Sequence, residues 1–140
     1  MNIMDFFTPK ASTFYLDSDS TIRQALEKFD AHKFTVVPLL SEEGDFVSTV
    51  SVGDILCYIK NNADFDIAKA ESVRLRDLSN YRPYSACKLS VSDEELIRLA
   101  LEQNFVPLVD DRGKYMGIIK RKAILTYLLD RVKEKEEVLS

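Results

Sequence analysis

Two short stretches hold the residues whose types and spacing could do chemistry. Ser51 and Asp54 stand three apart where an apolar strand pattern, Phe46 to Val50, gives way to a helical one, Ile55 to Lys60. A carboxylate at a helix start can accept both hydroxyl protons of a cis-diol, with the serine hydroxyl beside it. Sixty-nine positions on, the same apolar frame carries Lys120, Arg121, Lys122 and Ala123. Arginine offers a planar fork of donors and lysine a mobile point charge, and both sit near a helix N-terminus whose partial positive charge favours anions. Each stretch also has a plainer meaning. Aspartate is common at helix starts for capping alone, and a short basic run is usually a solvated turn.

The two stretches belong to a repeat, which decides the architecture. Thr35-Val36-Val37-Pro38-Leu39-Leu40 matches Asn104-Phe105-Val106-Pro107-Leu108-Val109, and Gly44 matches Gly113. Each copy reads as strand, helix, strand, strand, helix. In the first copy, Thr13 to Leu16 is a strand and a helix starts near Thr21, with Ile22, Ala25, Leu26 and Phe29 on its apolar face. Phe34 to Leu40 and Phe46 to Val50 flank a tight turn at Ser41 to Gly44. In the second copy, Ala86 to Leu89 is a strand, and Ser92 with Glu95 forms a capping box before Leu96, Leu99 and Ala100. Asp110 to Gly113 is the second turn, and the last helix runs from about Arg121 into Glu137. Ile3 to Pro9 and Val73 to Pro83 are matching entry turns, each stopped by proline. The boundaries read as residues 1–62, a connector 63–72, a second copy 73–132 and a charged tail 133–140. Copy register is firm only from Thr35 and Asn104 onward.

Composition bounds the function. At 140 residues, 46% hydrophobic and 30% charged, the chain suits an ordinary globular fold with a real core. Its net charge of -4 argues against the broad basic face that nucleic acid requires. No apolar run or leader pattern points to a membrane or to secretion, so a cytoplasmic protein is expected. Cys57 and Cys87 stand alone and are expected to be reduced. His32 is the one histidine, without partners for a metal site or a catalytic triad. Glu42-Glu43 and Asp110-Asp111 fall in turns, where solvated acids are normal. No Walker-type phosphate loop is present. Neither catalysis, a cofactor nor a metal is expected.

The paired copies, with their apolar-Pro strands and the Gly44, Ser48, Ser51, Asp54 pattern, resemble a tandem pair of CBS domains. The second copy keeps Gly113 and Gly117 and then departs from the pattern. Within that family the chain is similar to the small stand-alone CBS-pair proteins of Gram-positive bacteria that bind cyclic di-AMP. In those proteins the second copy has Thr and two basic residues; Lys120 stands at that Thr and Arg121 and Lys122 at the basic pair. The resemblance implies an α+β, pseudo-twofold CBS-domain pair of two β-α-β-β-α repeats packed through their sheets. It further implies two unequal clefts. A basic one would draw on Lys10, Ser12, Phe14, Thr35, Lys120, Arg121 and Lys122; a ribose-type one would draw on Cys87, Asn104, Ser51 and Asp54. The 3′ hydroxyl of a cyclic dinucleotide is esterified, so Ala123 suits a doubly anionic cyclic ligand and Asp54 a free mononucleotide.

The resulting expectation is a non-catalytic regulatory module that binds cyclic di-AMP and signals to a partner protein. The alternatives are an AMP, ADP or ATP energy sensor using Ser51 and Asp54, and a ligand-independent adaptor. A homodimer is implied as well, with the helices at Ile55 to Ile59 and Ile124 to Leu128 supplying the interface.

Overall fold

The computed structural model describes residues 2–32, 34–62, 64–78 and 82–139. The chain is α+β, with two three-stranded sheets and five α-helices among these residues. In chain order the elements are β1 (Thr8–Pro9), β2 (Leu16–Asp17), α1 (Ile22–His32), β3 (Val36–Leu40), β4 (Phe46–Ser51), α2 (Val52–Asn61), α3 (Ile67–Ala70), α4 (Asp93–Glu102), β5 (Phe105–Val109), β6 (Tyr115–Lys120) and α5 (Arg121–Leu139). Single turns of 3-10 helix lie at Ile3–Asp5, Lys10–Ser12 and Leu75–Asp77.

The chain divides into two compact units, Phe14–Tyr84 and a second made of Met1–Thr13 with Ser85–Ser140. This division cuts across the sequence copies. Each entry turn serves the core of the other copy: Ile3 is buried with Leu96, Val106, Ile119 and Ile124, and Leu75 is buried with Ile22, Val37, Val50 and Ile55. Burying such a side chain contributes about 1.5–3 kcal/mol, so the entry turn is part of the core it enters.

In the unit Phe14–Tyr84 the sheet order is β2-β3-β4, with β2 parallel to β3 (Leu16 opposite Leu39) and β3 antiparallel to β4. The entry turn is stitched on by backbone bonds from Ile22 N–H to Val73 O (3.0 Å) and from Leu75 N–H to Ser20 O (2.9 Å). The connector holds the four-residue helix α3, which Asp66 caps by accepting from Lys69 N–H at 2.8 Å. Ala70 at its end reaches the core, which explains why a polar stretch still orders.

In the other unit the order is β1-β6-β5, all antiparallel. Here the entry turn ends at Phe6, before Pro9, and Pro9 itself lies in β1, paired with Gly117. A proline fits there because β1 is an edge strand. Gly117 has φ 152°, and a Cβ on it would lie 2.0 Å from Thr8 O, so β1 can approach β6 only over glycine. The strand expected at Ala86 to Leu89 contracts to one parallel bridge between Cys87 and Leu108. The charged tail is helical, since α5 continues to Leu139.

The repeat is visible in the packing. Val37, Leu39, Val50 and Ile55 are nearly or fully buried, as are Val106, Leu108, Ile119 and Ile124, their counterparts sixty-nine residues on. Before the hairpins the offset is different. Thr21 caps α1 reciprocally with Gln24, Thr21 Oγ1 accepting from Gln24 N–H (3.2 Å) and Gln24 Oε1 from Thr21 N–H (2.9 Å). Ser92 caps α4 by accepting from Glu95 N–H at 3.1 Å. The link from α1 to β3 is one residue longer than that from α4 to β5, and α1 is one residue longer than α4. Those two residues explain why the register holds only over the hairpins.

Candidate functional site

At the end of β4 the backbone turns into α2, with Val52 N–H donating to Thr35 O at 3.0 Å. Ser51 is the N-cap: its Oγ accepts from Asp54 N–H at 3.0 Å, and Asp54 Oδ2 accepts from Ser51 N–H at 2.8 Å. Asp54 is only 5% exposed. The capping geometry of the aspartate is therefore present. The pair satisfies two amide donors that a helix start otherwise leaves without partners. Thr35 is exposed, and its carbonyl is the acceptor that anchors α2. Phe14 is half-buried against the core, stacks with Phe34 (ring centroids 5.3 Å apart) and meets His32 at a tilt of 41° (4.6 Å).

At the end of β6 the same backbone turn recurs, with Arg121 N–H donating to Asn104 O at 3.1 Å. The side chains have changed. Lys120 and Lys122 are exposed, and Ala123 stands in place of an acid. The three basic residues do not line one recess. Arg121 turns to the end of α4, its Nε donating to Ala100 O at 2.7 Å, and lines a groove of about 280 Å³ with Ile97, Leu101, Leu125 and Leu128. Lys120 and Lys122 line a different recess, of about 440 Å³, with Phe6, Ala123, Thr126, Tyr127 and Asp130. Phe6 stacks on Tyr127 at 6.0 Å between centroids and 22° between planes. Arg131 donates to the Tyr127 hydroxyl at 2.7 Å, and this hydrogen bond holds that hydroxyl's pKa below the ordinary tyrosine value.

The sequence pointed to Lys120 and Lys122 but not to Phe6, Thr126, Tyr127 or Asp130. The signal was present: Ala123, Thr126, Tyr127 and Asp130 follow one helical face at spacings of three and four. Phe6 could not be placed, because its position depends on β1 pairing with β6.

The remaining candidates are scattered. Lys10 and Ser12 follow β1, whose register carries the chain toward Tyr115, at the opposite end of β6 from Lys120. Thr13 Oγ1 accepts from the Tyr115 hydroxyl at 2.9 Å. Cys87 is the counterpart of Leu16: it is buried, its N–H donates to Pro107 O (2.8 Å) and its carbonyl accepts from Val109 N–H (2.9 Å). Burial pushes its thiol pKa up to about 11. Asn104 is exposed next to Gln103, which is buried and ties Ser85 to the unit through Ser85 N–H (2.8 Å) and Ser85 O (3.1 Å). Ile55 and Ile124, expected at a dimer interface, are core residues; the apolar residues that α2 and α5 expose are Leu56, Leu125, Leu129 and Val132, with Val138 and Leu139 at the end of α5. Among the described residues no helix is long and apolar enough to cross a membrane, and no group of three or more His, Cys, Asp or Glu could hold a metal ion.

These features, two copies of one hairpin-and-helix frame with exchanged entry turns, define a fold of two paired repeats. Residues 5–61 and 82–130 match the CBS domain, and the chain belongs to that family. Solved structures share the fold. CbpB in complex with c-di-AMP has a TM-score of 0.85 at 15% identity, over 98% of this chain and 90% of that one. The Listeria monocytogenes CbpB protein in complex with c-di-AMP has a TM-score of 0.78 at 17% identity, over 95% and 98%. CBSX2, a CBS-pair protein of Arabidopsis thaliana, in complex with AMP has a TM-score of 0.70 at 26% identity, over 92% and 96%. No curated protein matches the chain in sequence.

Proposed function

We propose that the protein is a non-catalytic, cytoplasmic regulatory module that binds an adenine nucleotide, cyclic di-AMP first among them, and signals its presence to a partner protein. The observation that carries this reading is the contrast between the two turns. At Ser51 and Asp54 the polar groups close a helix cap, whereas Lys120 and Lys122 stand exposed around a 440 Å³ recess, a size within the range of small-molecule sites. Two lysines beside a helix start suit phosphates. Ala123, in place of a carboxylate, removes the repulsion an acid would exert on a ligand without a free diol. Ligand binding would change partner affinity only through contacts that differ between two states.

Lys10, Ser12, Phe14, Thr35 and Arg121, and for a ribose Ser51, Asp54, Cys87 and Asn104, are further proposed ligand contacts. Leu125, Leu129 and Val132 follow one face of α5 at spacings of four and three, and Leu125 shares a groove with Leu101 of α4. A second copy would cover this stripe in a homodimer, which sedimentation of the Leu125→Glu/Leu129→Glu variant tests: the variant should be monomeric where the parent is dimeric.

Calorimetric titration with cyclic di-AMP, AMP, ADP and ATP in parallel tests the main reading. Preferential binding of cyclic di-AMP, lost in Lys120→Ala/Lys122→Ala, is the expected result. Preference for a mononucleotide, lost in Asp54→Ala, would transfer the function to energy sensing through Ser51 and Asp54. Silence from all four would leave a ligand-independent adaptor.

A further inference from the structure

The recess along α5 offers more than two cations. Its walls change character along the helix: Lys120 and Lys122 at the start, the Phe6–Tyr127 stack in the middle, and Asp130 beyond. At about 1.5 Å rise per residue, Tyr127 lies roughly 7.5 Å and Asp130 roughly 12 Å past Lys122. A phosphate and the base of the same nucleotide are separated by a comparable distance. From this arrangement we infer that the Phe6–Tyr127 pair is a base seat: with a phosphate on Lys120 and Lys122, a nucleobase stacks on these rings.

Three features support the assignment. Aromatic faces attract bases by stacking whatever the sequence, because each base has a π-face. Tyr127 is held ready for this, since Arg131 donates to its hydroxyl at 2.7 Å and lies 5.8 Å from the ring centroid, while Phe6 stacks on the ring. Little rotamer freedom remains to be lost on binding. The charge order fixes direction as well, for the Asp130 carboxylate repels a phosphate and accepts from an exocyclic amino group such as that of adenine. The seat lies wholly in the unit Met1–Thr13 with Ser85–Ser140 and adds Phe6, Tyr127 and Asp130 to the residues proposed above. It rests on the nucleotide-binding reading.

The test compares Tyr127→Leu with Tyr127→Phe by calorimetry with cyclic di-AMP and AMP, and with inorganic phosphate as a probe without a base. Tyr127→Leu should weaken whichever nucleotide the parent protein binds roughly 5- to 150-fold, the range that base–aromatic stacking contributes. Tyr127→Phe, which keeps the ring but loses the hydrogen bond from Arg131, should weaken nucleotide binding less than Tyr127→Leu does, and phosphate affinity should be the same in all three proteins. In the parent protein the Tyr127 ring protons should shift on addition of nucleotide and not on addition of phosphate, a readout that stands even if Tyr127→Leu folds poorly. Nucleotide binding that Lys120→Ala/Lys122→Ala abolishes but Tyr127→Leu leaves intact, with unmoved Tyr127 resonances, would overturn the base seat and leave the nucleotide reading standing. A parent protein that binds no nucleotide overturns both.

Discussion

The turn from β4 into α2 and the turn from β6 into α5 share a backbone and differ in what their side chains do. Both anchor the helix start through equivalent amides, Val52 on Thr35 O and Arg121 on Asn104 O, at 3.0 and 3.1 Å. In the first, Ser51 and Asp54 direct their oxygens at the helix's own N–H groups. In the second, no acid follows, and two lysines face a recess. A duplicated frame thus lets one copy supply stability at the position where the other supplies charge. The spacing that marks a ligand site in sequence is also the spacing of a capping box, and only hydrogen-bond geometry separates them.

The largest effect should come from the glycine that distinguishes the sheets. Gly117→Ala places a methyl group 2.0 Å from Thr8 O; it should cost several kcal/mol, as backbone clashes in a packed site do, or peel β1 from β6. Ser48 is the first copy's counterpart and already carries a Cβ, so Ser48→Ala should stay within about 0.5 kcal/mol. Urea unfolding of the two variants checks the contrast. Asp54→Ala should lower stability by about 1–2 kcal/mol by removing the buried acceptor of Ser51 N–H while leaving the bond from the backbone N–H of residue 54 to Ser51 Oγ in place, whereas Lys120→Ala/Lys122→Ala should change it by less than about 0.5 kcal/mol, because both lysines are exposed.

Arg121→Ala should cost about 1 kcal/mol for the lost bond to Ala100 O, a smaller effect than that of Asp54→Ala. Arg121→Lys should not restore it fully, since lysine cannot reproduce the Nε geometry. The smallest effect concerns Cys87. Its folded pKa is raised by burial to about 11 from 9.0, so the neutral thiol favours the fold below pH 9. That contribution is lost as pH rises from about 9 to about 11. Alkylation at pH 8 should therefore modify exposed Cys57 rapidly and Cys87 only as fast as the chain opens.

Much of the fold was legible because the repeat fixes equivalent positions: the Pro38 and Pro107 strands and the Gly44 and Gly113 turns fall where the pattern places them. The strand at Ala86 to Leu89 was over-read, because a place in the repeat marks a counterpart and not the extent of pairing, and only Cys87 finds a bridge. The exchange of entry turns was illegible. Ile3 and Leu75 look alike in either copy, and nothing local to an apolar turn names the core it enters. For the site, the charges at Lys120 and Lys122 were legible as types. The diversion of Arg121 to Ala100 O required the end of α4 to be in place, and the joining of Phe6 to Tyr127 required β1 on β6.

The most direct test of the contrast between the turns is a calorimetric titration of cyclic di-AMP into the parent protein, Lys120→Ala/Lys122→Ala and Asp54→Ala, at one temperature and low salt. Binding that the double lysine variant loses by tenfold or more, and that Asp54→Ala keeps within about twofold despite its lower stability, is the predicted result; each tenfold corresponds to about 1.4 kcal/mol. Loss of binding in Asp54→Ala with full retention in Lys120→Ala/Lys122→Ala would contradict it and place the ligand at the capped turn.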